Sequence, residues 1–255
     1  MDKLTIIKVG GKIVEEEQSL RQLLKDFSLI EGYKILVHGG GRSATKLAEK
    51  LGIESRMVNG RRVTDRDTLE IVTMVYGGLV NKNIVAGLQA LGVNALGLTG
   101  ADMNIIRSEK RPVKEVDYGF VGDVKEVNAE TLSSLIQQGI VPILAPLTHD
   151  KEGNILNTNA DTIAGETAKA LALKFDVTLI YCFEKKGVLM NENDDESVIP
   201  YINKATFEVL VKDGIVQGGM IPKLENAFQA IEKGVKEVII TSASEFGENM
   251  GTRIC

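Results

Sequence analysis

Apolar positions along this chain fall into two alternating rhythms. Runs in which nearly every residue is apolar, at Leu4–Val9, Lys34–His38, Asn94–Leu98, Ile140–Leu147, Val177–Phe183 and Val238–Thr241, predict strands buried on both faces. Between them, apolar residues recur every three or four positions: Leu20, Leu23, Leu24 and Phe27, then Ala44, Leu47, Ala48 and Leu51, then Leu132, Leu135 and Ile136, then Ala160, Ile163, Ala164, Ala168 and Leu171. Those are helix faces. Strand, helix, strand in repetition predicts an α/β fold with parallel pairing and right-handed crossovers.

The punctuation agrees with the rhythm. Gly32, Gly52 and Gly214 stop helices, Thr64 and Asn128 stand where N-caps belong, and Pro222 falls in the first turn of a helix that follows Gly218-Gly219. A further helix is predicted over Lys204–Lys212. The long segment Leu69 to Leu91 reads as helix, bent or broken at Gly77-Gly78. From Met103 to Val127 the periodicity weakens, which suits short antiparallel strands or a flap, and the acidic stretch Asn191 to Glu196 suits a solvated hairpin tip. The chain closes on a Gly251-Thr252-Arg253 tail. No internal repeat or low-complexity linker divides it, so a boundary near residue 175 separates two lobes, 1–175 and 176–255, of one continuous domain.

Chemistry enters at the strand exits. Lys8-Val9-Gly10-Gly11-Lys12, His38-Gly39-Gly40-Gly41-Arg42 and Glu184-Lys185-Lys186-Gly187 each follow an apolar run, and in an open parallel sheet ligands collect beyond those ends. Glycines remove every Cβ between the backbone N–H groups and whatever lies above them, and a helix starting there presents its positive end, so an anion is expected. A formal charge of −5 over 255 residues argues against a nucleic-acid or anionic-membrane surface, and the absence of Trp with aromatics at 5% argues against stacking on bases. The anion must therefore be met by placed groups.

Cys182 and Cys255 form no metal-like spacing, which predicts a reducing, cytoplasmic setting, and with His38 and His149 the only histidines a metal is expected to arrive with a phosphate ligand. A first strand starting so near Met1 leaves no room for a signal peptide, and no apolar run reads as long enough to span a bilayer. In Asn157-Thr158-Asn159-Ala160-Asp161, three Asn or Asp side chains exceed what capping needs.

No GxxxxGK[ST] occurs, which excludes a P-loop. Gly39, Gly41 and Ala44 satisfy the permissive G-x-G-x-x-A, with Arg61-Arg62 placed to read a 2′-phosphate, so an NADP-dependent oxidoreductase is the different-class alternative. That alternative leaves unexplained the lysine–glycine turn after the first strand and the glycine pair before Lys223.

Taken in order, Lys8-Val9-Gly10-Gly11, His38-Gly39-Gly40-Gly41, Asn59-Gly60-Arg61-Arg62-Val63-Thr64, Asn157-Thr158-Asn159-Ala160-Asp161 and Gly219-Met220-Ile221-Pro222-Lys223 resemble the motifs of the amino-acid kinase superfamily over essentially the whole chain, and within it the branch that acts on N-acetyl-L-glutamate. The resemblance implies a three-layer α/β/α sandwich around a mainly parallel sheet. It implies transfer of the γ-phosphoryl group of ATP, with Mg2+, to the side-chain carboxylate of an N-acylglutamate in arginine biosynthesis. N-succinylglutamate is the alternative acceptor, and a catalytically inactive amino-acid sensor of the same fold a further alternative.

Residues 1–175 would bind the acylglutamate and dimerise, and 176–255 would bind ATP. Both reactants are anions, and unit charges about 4 Å apart repel by roughly 4 kcal/mol at an effective dielectric near 20, so cations must bracket the transferred group. Lys8 and Lys223 suit this as compact charges with rotatable donors. By resemblance, Asp161 holds both ammonium groups and the amides of Gly11 and Gly41 donate to the phosphoryl oxygens. Arg62 takes the α-carboxylate, Gly40, Gly41 and Asn157 take the rest of the acceptor, and Gly10, Gly11, Glu184, Lys185, Lys186, Gly187, Gly218 and Gly219 bind ATP. No direct protein ligand to the metal is implied. Where many members carry Asp-Val-x-Gly, this chain has Glu184-Lys185-Lys186-Gly187, which places two extra positive charges near the nucleotide. It also lacks the N-terminal helix that links dimers into arginine-inhibited hexamers, which implies a simple homodimer.

Overall fold

In the computed structural model, which describes residues 1–58, 60–243 and 251–255, the chain opens with β1 (Lys3–Val9), α1 (Gly11–Glu15), α2 (Glu17–Ser28), β2 (Tyr33–His38) and α3 (Gly41–Lys50). The antiparallel pair β3 (Met57–Val58) and β4 (Arg61–Arg62) precedes α4 (Arg66–Val72), a π-helical segment (Thr73–Val80), α5 (Asn81–Ala90) and β5 (Ala95–Leu98). Next come β6 (Ile106–Lys110), β7 (Gly122–Val127), α6 (Ala129–Gln137), β8 (Val141–Leu144), β9 (Leu147–His149), β10 (Ile155–Asn157) and α7 (Ala160–Leu171). The last part holds β11 (Asp176–Phe183), β12 (Tyr201–Ile202), α8 (Lys204–Lys212), α9 (Met220–Glu232), β13 (Glu237–Ser242) and β14 (Thr252–Ile254).

An 8-stranded sheet runs β12-β14-β13-β11-β1-β2-β8-β5, and every neighbouring pair is parallel except β13 with β14. Its central strands are covered on both faces. Leu4 and Ile6 of β1 and Ile35 and Val37 of β2 join one core with residues of α6, α7 and α9, while Ile7, Val9 and Leu36 join a second with α2, α3 and α5. The two-residue period of a strand then decides where the polar residues go. Lys8 shares the face of Leu4 and Ile6, toward α7 and α9; His38 shares the face of Leu36, toward α5. A smaller 4-stranded sheet, β10-β9-β6-β7, contains the antiparallel pair predicted in the Met103–Val127 stretch.

Several expectations are corrected. The helix from Leu69 is not broken at Gly77-Gly78; it continues through a wide π segment that changes its register there. The cap of α4 is Asp65, whose carboxylate accepts the Thr68 amide at 2.8 Å, while Thr64 is fully buried one residue earlier. The terminal tail is a strand, β14, inserted between β12 and β13. The helical stretch Arg66–Ala90, with mean hydropathy 1.3, is long and apolar enough to cross a membrane by length and composition, contrary to the sequence-based expectation. Here it packs as a core element, with Leu69, Val72, Val75, Ile84 and Leu88 buried in the second core.

Candidate active site

Val9 and His38 are paired in register at the ends of β1 and β2, so their two glycine turns lie against each other. A Cβ on Gly11 would stand 3.5 Å from the Gly41 nitrogen and 3.6 Å from that of Gly40, which makes these glycines a shared floor of main-chain amides. The first amides of a helix have no acceptor within it. In α3 the third of them, Ser43 N–H, donates to Glu15 Oε1 at 2.6 Å, so a carboxylate from α1 caps the helix from outside.

The charges gather at Phe183, which lines a cleft with Gly10, Gly11 and Gly41. Lys8 Nζ lies 2.7 Å from Asp161 Oδ1, a half-sheltered pair with side chains 10% and 18% exposed. Asp161 sits in the first turn of α7, where Asn159 caps by accepting the Asp161 and Thr162 amides at 2.8 and 3.2 Å. Lys223, from α9, brings its Nζ within 3.7 Å of the Phe183 ring centroid, and Lys8 Nζ is 5.1 Å from the same ring. The two ammonium groups do converge. Their arrangement differs in one respect from the expected one: Asp161 contacts Lys8 directly, whereas Lys223 rests on the face of Phe183, an interaction of about 0.5–2 kcal/mol. Burial pushes the Lys223 amine below its usual range, the Asp161 carboxylate opposes that, and the Lys8 charge adds to it. A polyanion arriving here would oppose that shift.

On one side lies a cleft of about 200 Å3 lined by Gly39–Gly41, Met57, Gly60, Arg61, Arg62, Tyr76, Val121, Pro146 and Asn157–Ala160. Arg62 is buried and locked: Nη1 donates to Ser55 Oγ, and Nη2 to Gly41 O and Thr45 Oγ1, each at 2.8 Å. Asn157 Nδ2 donates to Thr64 Oγ1 at 2.9 Å, and that hydroxyl donates to Arg62 O at 3.1 Å, so β10 and β4 are tied together across the cleft. Asn59 lies outside the described residues.

On the other side, a cleft of about 250 Å3 is lined by Gly10, Gly11, Lys12, Ile13, Gly41, Arg42, Phe183 and Glu184. Beyond it a larger one, about 570 Å3, runs along Lys185, Gly187–Glu192, Gly214–Gly218 and Met220. Gly219 caps α9. Glu184 bridges Lys12 (3.3 Å) and Arg42 (3.2 Å), exposed pairs that are each worth at most about 1 kcal/mol. The two extra lysines are not an uncompensated positive patch. Lys185 pairs with Asp195 at 2.7 Å and Lys186 with Glu196 at 2.5 Å, so the acidic hairpin tip, exposed as expected, is also their counter-charge. Among the described residues no group of three His, Cys, Asp or Glu could hold a metal ion.

Tyr76, Glu15 and Phe183 take part without having been singled out by their chemistry. Phe183 closed an apolar run and read as core. Tyr76 is a lone aromatic inside a helix, and nothing in its spacing aims it at the glycine turn, where a Cβ on Gly40 would fall 2.9 Å from its ring.

Glycine turns, convergent ammonium groups and flanking clefts at the carboxyl rim of a three-layer α/β/α sheet define a phosphotransferase. The chain belongs to the amino acid kinase family, whose sequence model matches residues 3–242. Within it, the chain is 77% identical over 254 residues to the acetylglutamate kinase of Parabacteroides distasonis, covering 100% of both chains, and 74% identical over 253 residues to that of Bacteroides thetaiotaomicron, covering 99% of this chain and 98% of the relative. A solved structure from Streptococcus mutans superposes with a TM-score of 0.81 at 30% identity, covering 98% of each chain.

Proposed function

We propose that the chain phosphorylates N-acetyl-L-glutamate: a side-chain carboxylate oxygen attacks the γ-phosphorus of ATP, the bond from that phosphorus to the bridging oxygen breaks with its electron pair leaving on ADP, and an acyl phosphate forms for arginine biosynthesis. The convergence of Lys8 and Lys223 on Phe183, which lines a cleft with Gly10, Gly11 and Gly41, is the observation that carries this. The nucleophile is already an anion, so no proton has to be removed. What the protein must supply is position and positive charge. Lys8 and Lys223 offset the charge on the moving group, Asp161 fixes Lys8, and the Gly11 and Gly41 amides donate to the phosphoryl oxygens. Arg62, Gly40, Gly41 and Asn157 hold the acceptor in the smaller cleft.

ATP lies along Gly10, Gly11, Glu184–Gly187 and Gly218-Gly219, with its base in the larger cleft. Mg2+ would come with the phosphates and would offset part of their charge. Residues 1–175 thus form the acceptor lobe and 176–255 the nucleotide lobe. A homodimer is supported by the apolar side chains Met74 and Leu79, exposed on the long helical stretch, and a cytoplasmic site of action by the need for ATP. N-succinylglutamate is the second candidate acceptor, on one observation: Arg61 lines the acceptor cleft beside Arg62 and could meet a further carboxylate.

Coupled ADP release with N-acetylglutamate, N-succinylglutamate and glutamate tests this in the wild type and in Lys8→Ala and Lys223→Ala. N-acetylglutamate should give the highest turnover and the free amine the lowest. Each variant should lose on the order of 3 kcal/mol of transition-state stabilisation, as for a lost oxyanion donor. Near-wild-type rates in both variants, or no ADP release with either acylated substrate, would overturn it.

A further inference from the structure

His38 ends β2 fully buried, and its imidazole hydrogen-bonds at both nitrogens. Nδ1 is 2.8 Å from the Gly39 carbonyl oxygen, and Nε2 is 3.1 Å from Asn81 Nδ2. The orientation of the Asn81 amide is fixed by its own neighbours. Its nitrogen also faces the Ile143 carbonyl at 3.0 Å, and its oxygen accepts from Lys82 Nζ at 3.1 Å. An amide nitrogen only donates, so Nε2 must accept and Nδ1 must carry the proton: one neutral tautomer satisfies the chain. The relay needs room beneath it. A Cβ on Gly97 would fall 1.9 Å from Asn81 Oδ1.

The register of the helix brings the relay to the glycine turn. In the π segment the Asn81 amide bonds back to the Tyr76 carbonyl, an i→i+5 step that stacks residues five apart on one face, where an α-helix would splay them. Tyr76 thereby lies against Gly40 while Asn81 reaches His38. A trans peptide points its C=O and N–H in opposite directions. Holding the Gly39 carbonyl toward His38 therefore turns the Gly40 N–H the other way, toward Gly11, whose Cβ position is 3.6 Å from the Gly40 nitrogen.

We infer that His38 and Asn81 are positioning residues for phosphoryl transfer, the buried end of a Lys82–Asn81–His38 relay that sets the Gly39–Gly40 peptide plane and so aims the Gly40 amide at the transferring group. The inference rests on the kinase activity proposed above. It makes His38 a neutral strut rather than an acid, base or ligand.

The test compares His38→Asn, which keeps a donor at the Nδ1 position, with His38→Leu, which keeps the volume and loses the donor. A positioning role predicts that His38→Leu loses about 10- to 100-fold in kcat with smaller changes in either KM, while His38→Asn retains more activity despite the cavity it leaves. A role in packing alone predicts the reverse order, which would overturn the inference. Asn81→Asp adds a second readout, because a carboxylate forces Nε2 to donate. Lys82 is the charged group facing the ring. The neutral ring then loses its bond to Gly39, and only the doubly protonated ring makes both, so kcat should recover as pH falls, a limb the wild type lacks. Nitrogen NMR of the imidazole should show Nδ1–H in the wild type irrespective of turnover, and an Nε2–H wild type would refute the relay. If the wild type has the Nδ1–H form but releases no ADP, it is the activity that fails.

Discussion

Arg62 shows how much one residue can be asked to do. Three of its hydrogen bonds go to the protein, to Ser55, Thr45 and the Gly41 carbonyl, so its remaining N–H groups are held rigid at the acceptor cleft. A lysine keeps the charge but cannot make that fork. Arg62→Lys should therefore raise KM for the acylglutamate by about tenfold or more, the equivalent of one charge-assisted hydrogen bond of roughly 1.5–3 kcal/mol, while KM for ATP moves little. Initial rates with each substrate varied in turn check this, and equal rises in both KM values would contradict it. Lys8 and Lys223 stand out in the sequence as compact charges beside glycine turns, whereas Asp161 and Arg62 are pointed to only by the family resemblance. Phe183, Tyr76 and Asn81 do not stand out. Each looks like ordinary core or helix, and its role depends on a direction that only the packed backbone sets.

Among the elements, those with strong periodicity and a cap were read correctly to within a residue or two, and α6 is the clearest. Asn128 accepts the Thr131 amide at 3.0 Å, and Leu132, Leu135 and Ile136 are buried behind it. Asn128→Ala should cost about 1 kcal/mol in urea unfolding with kcat unchanged, since the cap supports a helix and touches neither cleft. A loss of activity at unchanged stability would show that the element does more than pack. The helix across Gly77-Gly78 was misread for a physical reason. Two glycines in a helix signal a break if the backbone groups they free must find water, but here the π register keeps those groups bonded within the segment. The acidic tip is an exposed hairpin, as its composition suggests, but its ion pairs are not legible in the sequence, because Lys185 and Asp195, ten residues apart, meet only once the hairpin closes, at Leu189 and Val198.

For the molecule as a whole, the fold class followed from alternation, but strand order did not: β1 pairs with β2 next to it and also with β11, beginning at Asp176, and no local signal marks the second. Burying that centre on both faces has a consequence for acid stability. His38 is fully buried at the edge of the second core, and burial depresses its imidazole to about 4 against an ordinary 6.5, the Gly39 carbonyl opposing the shift and the Lys82 charge reinforcing it. Between those two values the unfolded chain binds a proton that the folded one refuses, so stability falls as pH falls, by about 1.4 kcal/mol per pH unit and roughly 3 kcal/mol in all. The carboxylates with depressed values, such as Asp65 hydrogen-bonded to the Thr68 amide, act lower: their contribution is intact above the ordinary carboxylate range and is lost only beneath it. Net charge does not imitate the effect, because the isoelectric point near 5.3 lies inside the same window and self-repulsion is smallest there. Urea midpoints measured from pH 7 to pH 3 should therefore show two acid limbs in the wild type, and His38→Asn should abolish the upper one and keep the lower. Parallel curves for the two proteins would mean that the acid sensitivity comes from elsewhere in the fold.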